Sequence, residues 1–289
     1  MFGISLNSVY TPHLGQGSGR GLSPRLWSRV DGQALAPDGG AIGYFAGDDF
    51  TGFGKAAANV YVGEGGVYLS YEDSGSVIIG TTGAGGVVSM TADTTDNDEI
   101  SIQAGNGTTL PFTISDTAGS DKLLIFETRF RITTPTTLAD TTLNFFTGLG
   151  GASTACTDFI ADTAGVIKDA SFLGFQIIES NGDRVRFVAS KLSDATTLQI
   201  PIADVAGEIV AATWYKAGFV YDPSAIASER IKVYWDNVEH ATKVTSTNIA
   251  TATFPDGSAM NFLAAMQSAS GAASGKQVDI DWWACYQAG

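Results

Sequence analysis

A 289-residue chain with 35 glycines, about 12% against the roughly 7% of ordinary proteins, and only 16% charged residues lacks the long Leu/Glu/Lys/Arg-rich stretches of a helical bundle. Abundant threonine, valine and aromatic residues point to strands. The formal net charge of −14 argues against nucleic acid or an anionic membrane as partner, because phosphate affinity comes from clustered Lys and Arg, and no apolar run approaches the ~20 residues that span a bilayer.

Residues 1–43 read as an extended arm. Gly and Pro punctuate Tyr10–Gly21 with no periodic apolar pattern, yet Phe2, Ile4, Leu6, Val9, Tyr10, Leu22, Leu26 and Trp27 are too apolar for a purely disordered tail. Residues 1–30 hold Arg20, Arg25 and Arg29 and no acid, so the rest of the chain carries 13 basic and 30 acidic residues. An irregular basic segment with apolar anchors suits a surface, whether its own domain, a neighbouring copy or another protein.

From Tyr44 onward, short strands alternate with turn residues. Residues 66–71, 86–91 and 100–103 are short β runs. Residues 123–132 begin as a continuous apolar run and then alternate, with Phe126, Thr128, Phe130 and Ile132 on one face and Glu127, Arg129 and Arg131 on the other. Glu127 is expected to face outward beside an arginine. Residues 142–149 and 172–179 follow, and Asn181-Gly182 marks a hairpin into residues 184–189. Residues 214–221, 231–237, 260–266 and 278–286 complete the series; in the last, Val278, Ile280, Trp282, Ala284 and Tyr286 read as one core stripe, with Asp279 and Asp281 on the solvent side. One sandwich over 44–289 behind the arm is the economical organisation.

The order of segments carries a resemblance. FETRFRI, LNFFTGLG, FLGFQIIESNGDRVRFV, TWYKAGFVYD with IKVYWDNVEH, and VDIDWWACYQ resemble the successive strands of concanavalin A-like jelly rolls. Within that superfamily, the Gly-rich arm, GYFAGDDFTGFG (Gly43 to Gly54), GGVYLS and TADTTDNDEISIQ are similar to segments of tailed-bacteriophage virion proteins. This resemblance implies an all-β, two-sheet antiparallel jelly-roll sandwich acting as a decoration protein on the capsid surface of a phage. Its partner would be the major capsid protein, and a homo-oligomer, dimer or trimer, is expected. Arg20, Arg25, Trp27 and Arg29 are the expected capsid contacts. The alternative is a glycan- or receptor-binding module of a tail fibre or a lectin, with host-surface glycan as ligand; a glucanase-like hydrolase is the remaining reading.

The chemistry of a hydrolase is missing from the strand that should carry it. Glycosidases of this fold need two acids about 5 to 5.5 Å apart on one strand, and residues 174–179, GFQIIE, supply only Glu179. No enzyme activity and no cofactor are expected. Asp93, Asp96, Asp98 and Glu99 form the densest acid cluster, but without the spacing of an EF-hand they read as a solvated loop. His13 and His240 are too scattered for zinc, so no metal is assigned. Trp214, Tyr215, Tyr234 and Trp235 could stack on a sugar, although core packing is expected for at least half of them. Cys156 and Cys285 have no metal-ligand or CxxC spacing, and no signal-peptide pattern is visible, so assembly in a host cytoplasm is expected.

Overall fold

The computed structural model describes residues 22–28 and 43–289, apart from the short segments 64–65, 74–75, 82–85, 106–109, 118–119, 135–142, 153–158, 163–166, 168–169, 179–183, 193–197, 204–208 and 269–274. The regular structure is nearly all β, with 61% of residues in strands and 4% in helix. In order these are β1 (Gly43–Asp48), β2 (Gly54–Ala57), β3 (Val60–Gly63), β4 (Gly66–Glu72), β5 (Val77–Thr81) and β6 (Val87–Ala92). Next come β7 (Glu99–Ala104), β8 (Phe112–Thr113), β9 (Leu124–Thr134), β10 (Leu143–Ala152), β11 (Ala170–Ile177) and β12 (Val185–Ser190). The last six are β13 (Leu198–Ala203), β14 (Tyr215–Tyr221), β15 (Ile231–Trp235), β16 (Val238–Glu239), β17 (Ala259–Ser268) and β18 (Lys276–Ala288).

Two antiparallel sheets result. One runs β16-β15-β14-β9-β18-β6-β5, with β1 also on β18; the other runs β13-β12-β11-β10-β17-β7-β4-β3-β2, with β8 on β17. The first described strand of the body therefore pairs with the last strand of the chain, Gly43 opposite Ala288 and Asp48 opposite Trp283. Between the sheets lies one aromatic-rich core, in which Phe126 stacks on Phe219, Phe130 meets Phe145, and Phe262 stacks on Trp283 at 4.8 Å.

The alternation read in β9 holds: Phe126, Phe130 and Ile132 enter this core, while Glu127, Arg129 and Arg131 stand on the outer face. In β18 the expected stripe is broken. The register shifts between Ile280 and Trp282, so Asp281 is an extra residue opposite β9. Val278 and Ile280 point inward, but after the bulge Trp283 and Cys285 take over the core, and Trp282, Ala284 and Tyr286 turn to the outer face. A one-residue insertion reverses every following side chain.

Candidate functional site

The outer face of the β14-β9-β18-β6 sheet is divided into two territories. One is covered by the described piece of the arm. Residues 22–28 form a turn, closed by the Trp27 N–H donating to the Ser23 carbonyl at 3.1 Å, and Leu22, Leu26 and Trp27 pack on Ile125, Val220, Tyr234, Trp282, Ala284 and Tyr286. Gly218 makes room for this strap, since a Cβ there would stand 2.4 Å from Leu26 Cδ1. The strap also explains Glu127. Its side chain is on the expected outer face, yet it is 1% exposed and pairs with no arginine among the described residues; Oε2 accepts from Ser23 N–H at 3.0 Å and from Trp27 Nε1 at 2.7 Å. Burial pushes its carboxyl up, opposed by Ser23, Trp27 and the nearby Lys216 charge.

Of the residues expected to meet a partner, Trp27 is thus spent on the protein's own sheet, because an indole that donates to a buried carboxylate is not presented outward. Arg25 is exposed, its backbone N–H donating to Asn237 Oδ1 at 3.2 Å. Arg20, Arg29 and Glu179 lie outside the described residues.

The second territory is a lattice of charges under an indole. Arg129 pairs with Asp281, and Arg131 Nε donates to Asp279 Oδ2 at 2.8 Å. Asp279 also accepts from Ser89 Oγ at 2.6 Å, Gln277 Nε2 at 2.9 Å and Thr133 Oγ1 at 3.0 Å. Burial alone would raise its carboxyl, but these donors hold it below the usual carboxylate range. Neither aspartate is on a solvent side, as the alternation implied: each is 1% exposed, consumed by the arginines of β9. The Trp214 ring lies 4.5 Å from the guanidinium carbons of both Arg129 and Arg131. These arginines are two residues apart on one strand face, so both guanidinium groups reach the one indole and hold it in place. Trp214 is half-buried, whereas Tyr215 is buried in the core, Trp235 packs against it and Tyr234 sits beneath the strap. Among the four aromatics singled out in the sequence, Trp214 alone lies against guanidinium groups and outside the core clusters. The signal that could have found it was its position one residue before β14, opposite an Arg-x-Arg strand.

The other sheet carries the strand where a hydrolase would place its acids. Inward, β11 offers Leu173, Phe175 and Ile177; outward, Phe172, Gly174 and Gln176. Gly174 faces Gly148 across the ladder, and a Cβ on Gly174 would stand 2.5 Å from the Thr147 carbonyl oxygen and 3.0 Å from the Phe146 ring. Phe159, Ile160 and Ile167 then pack over Phe146, Phe172 and Val188. Glu99 fastens this loop by accepting both the Phe159 and Ile160 N–H groups at 2.9 Å. Gly174→Ala is accordingly expected to lower stability by about 2 kcal/mol in urea denaturation, because backbone, not a flexible side chain, blocks the new methyl.

The four clustered acids separate as well, and the expected solvated loop holds only in part. Asp96 is exposed, Asp93 is half-buried, and Asp98 and Glu99 are 7% and 2% exposed. Burial, and then contact with the Asp93 carboxylate, push Asp98 up to about 7, while that same contact holds Asp93 low. Among the described residues no three His, Cys, Asp or Glu side chains form a metal-ligating group.

No protein-family model matches the chain, and no curated protein matches its sequence. Solved structures do. An endo-1,3-β-glucanase from Streptomyces sioyaensis superposes with a TM-score of 0.50 at 12% identity, covering 87% of this chain and 98% of the glucanase. The carbohydrate recognition domain of Emp47p follows at 0.49 and 11%, covering 86% of this chain and 98% of that domain. A protein of unknown function from Shewanella oneidensis gives 0.48 and 16%, with 86% and 87% covered. Together with the two antiparallel sheets, the likeness to the glucanase gives the chain the concanavalin A-like lectin/glucanase jelly-roll fold.

Proposed function

We propose that this jelly roll is a non-catalytic carbohydrate-binding domain whose contact surface centres on Trp214. The observation that carries the reading is the half-buried indole of Trp214 held by Arg129 and Arg131, 4.5 Å from its centroid and themselves held by Asp281 and Asp279. A sugar presents an apolar C–H face that stacks on an aromatic ring and hydroxyls that bond to fixed polar groups at its edge. A ring held by two paired guanidinium groups is preorganised, so binding loses little side-chain freedom. The absence of a described carboxylate on the outer face of β11, where Gly174 lies under Phe146, supports binding without cleavage. A glycan array probed with the full chain tests this: specific binding is expected, falling at least tenfold for Trp214→Ala and retained by Trp214→Tyr. Equal binding by Trp214→Ala would place the ligand elsewhere.

A second reading, a decoration protein on a phage capsid, is supported by the arm. Its described piece is fastened to the domain at Trp27 and Glu127 with Arg25 outward. In this reading Arg25, with Arg20 and Arg29, contacts the major capsid protein, and the chain assembles as a homo-oligomer on the virion surface. Co-sedimentation with intact particles, lost on Arg25→Glu, is the expected result; particles that never carry the protein would eliminate the reading.

A further inference from the structure

We propose that the loop between β6 and β7 is a binding site for calcium, with Asp93 and Asp98 as its carboxylate ligands and Ser268 as a hydroxyl ligand across the sheet. The loop closes on β17 through a bulge. Asn97 N–H donates to the Ser268 carbonyl at 2.8 Å, and Ser268 N–H donates to the Asp98 carbonyl at 3.0 Å, so residues 97 and 98 together oppose one residue. Asn97 takes the left-handed conformation this bulge requires, at φ 69°. The arrangement sets Asp98 directly across from Ser268, with their side chains on the same face.

Two observations separate this place from an ordinary acidic loop. The Asp93 and Asp98 carboxylates are in hydrogen-bonding contact with each other, and no Lys or Arg among the described residues pairs with either. In addition, Asp98 Oδ2 and the hydroxyl of Ser268 opposite it are both buried with no hydrogen bond in the described structure, as is Ser76 Oγ in the adjoining turn. Ser268 is fully buried, so water does not reach its hydroxyl from bulk. Ser76 belongs to the adjoining turn, which Asp73 joins to β7 by donating its N–H to the Glu99 carbonyl. Buried polar atoms without partners are rare in folded proteins, and an unpartnered hydroxyl directly across from an unpartnered carboxylate oxygen points to a cation.

The donor set chooses the ion. It is all oxygen, mixing carboxylate with hydroxyl, which is the preference of a hard cation with a large, irregular shell. Magnesium demands a smaller, regular octahedron, and zinc prefers nitrogen or sulfur. Two carboxylates, where an EF-hand uses more, place the affinity in the weak range of about 10⁻⁴ to 10⁻³ M.

The test is calorimetric melting of the full chain at pH 7.5 in EDTA, in 5 mM CaCl2 and in 5 mM MgCl2. Calcium is expected to raise Tm by about 3 °C, and magnesium by less. Asp98→Asn and Asp93→Asn should each lose the calcium shift, while Asp96→Asn, on the exposed side of the same loop, should keep it. Asp98→Asn removes the contact between like charges and is expected to fold in EDTA at least as stably as the parent. Calcium titration calorimetry on the unmodified chain gives an independent reading. No calcium-dependent shift and no binding heat in the parent chain, or an equal shift in Asp98→Asn, would overturn the site and leave a shared proton between the two carboxylates.

Discussion

Trp27→Ala is expected to cost about 3 kcal/mol in urea denaturation and to expose the arm to proteolysis while the sandwich stays folded. Truncating a buried tryptophan costs about 3–5 kcal/mol where the hole cannot close. Here the low end applies, because the strap can lift away and let water reach Glu127. The loss has two parts: the indole leaves the patch formed by Ile125, Trp282 and Tyr286, and Glu127 loses its 2.7 Å donor. Glu127→Gln keeps an acceptor and is expected to cost under about 1 kcal/mol, whereas Glu127→Ala strands the Trp27 and Ser23 donors. The Trp27→Ala, Glu127→Ala double variant should be less destabilised than the sum of the singles by about 1–2 kcal/mol. Strict additivity would mean that the strap is held by apolar contact alone.

Asp48→Ala is expected to cost about 3–4 kcal/mol, the largest loss for any single polar side chain named here. Asp48 is 2% exposed and accepts from the Tyr68 hydroxyl at 2.8 Å and from the Phe50 N–H at 2.7 Å; Tyr68 in turn accepts from Trp283 Nε1 at 3.0 Å. Alanine leaves two buried donors without an acceptor, at about 1–3 kcal/mol each. It also releases Phe50, held at φ 55° where a non-glycine residue is strained. Asp48→Asn retains one carbonyl oxygen and should recover roughly half of the loss. Guanidinium denaturation with an unchanged m-value checks this; a change in m would mean that β1 had left β18 altogether.

These two networks show where sequence reading reached and where it stopped. The all-β sandwich followed from composition and turn punctuation, and β9 could be read residue by residue because period-two alternation has one physical cause, a core on one face. The same rule failed in β18, since nothing in Val-Asp-Ile-Asp-Trp-Trp announces that Asp281 is an inserted residue. Glu127 was assigned the right face and the wrong environment, because its burial depends on a strap 100 residues away in sequence. Asp279 and Asp281 were read as solvated for a related reason: their arginines lie on a different strand, and only pairing of β9 with β18 brings them together. Glu99 was counted with its acidic neighbours, although its partners are backbone N–H groups that carry no sequence signature. The glycine at 174 was legible as a missing acid; that Phe146 closes over it was not.

The proposed glycan surface centres on Trp214, and indole resonances give the most direct view of it. The chain has five tryptophans, of which Trp27, Trp282 and Trp283 are buried and Trp235 packs against the core. With tryptophan-labelled protein, titration of the best-bound oligosaccharide is expected to shift the Trp214 Nε1–H peak progressively, with the other four nearly unmoved and the sugar recovered intact. A shift confined to another indole, or cleavage of the sugar during the titration, would contradict a non-catalytic glycan surface on this face.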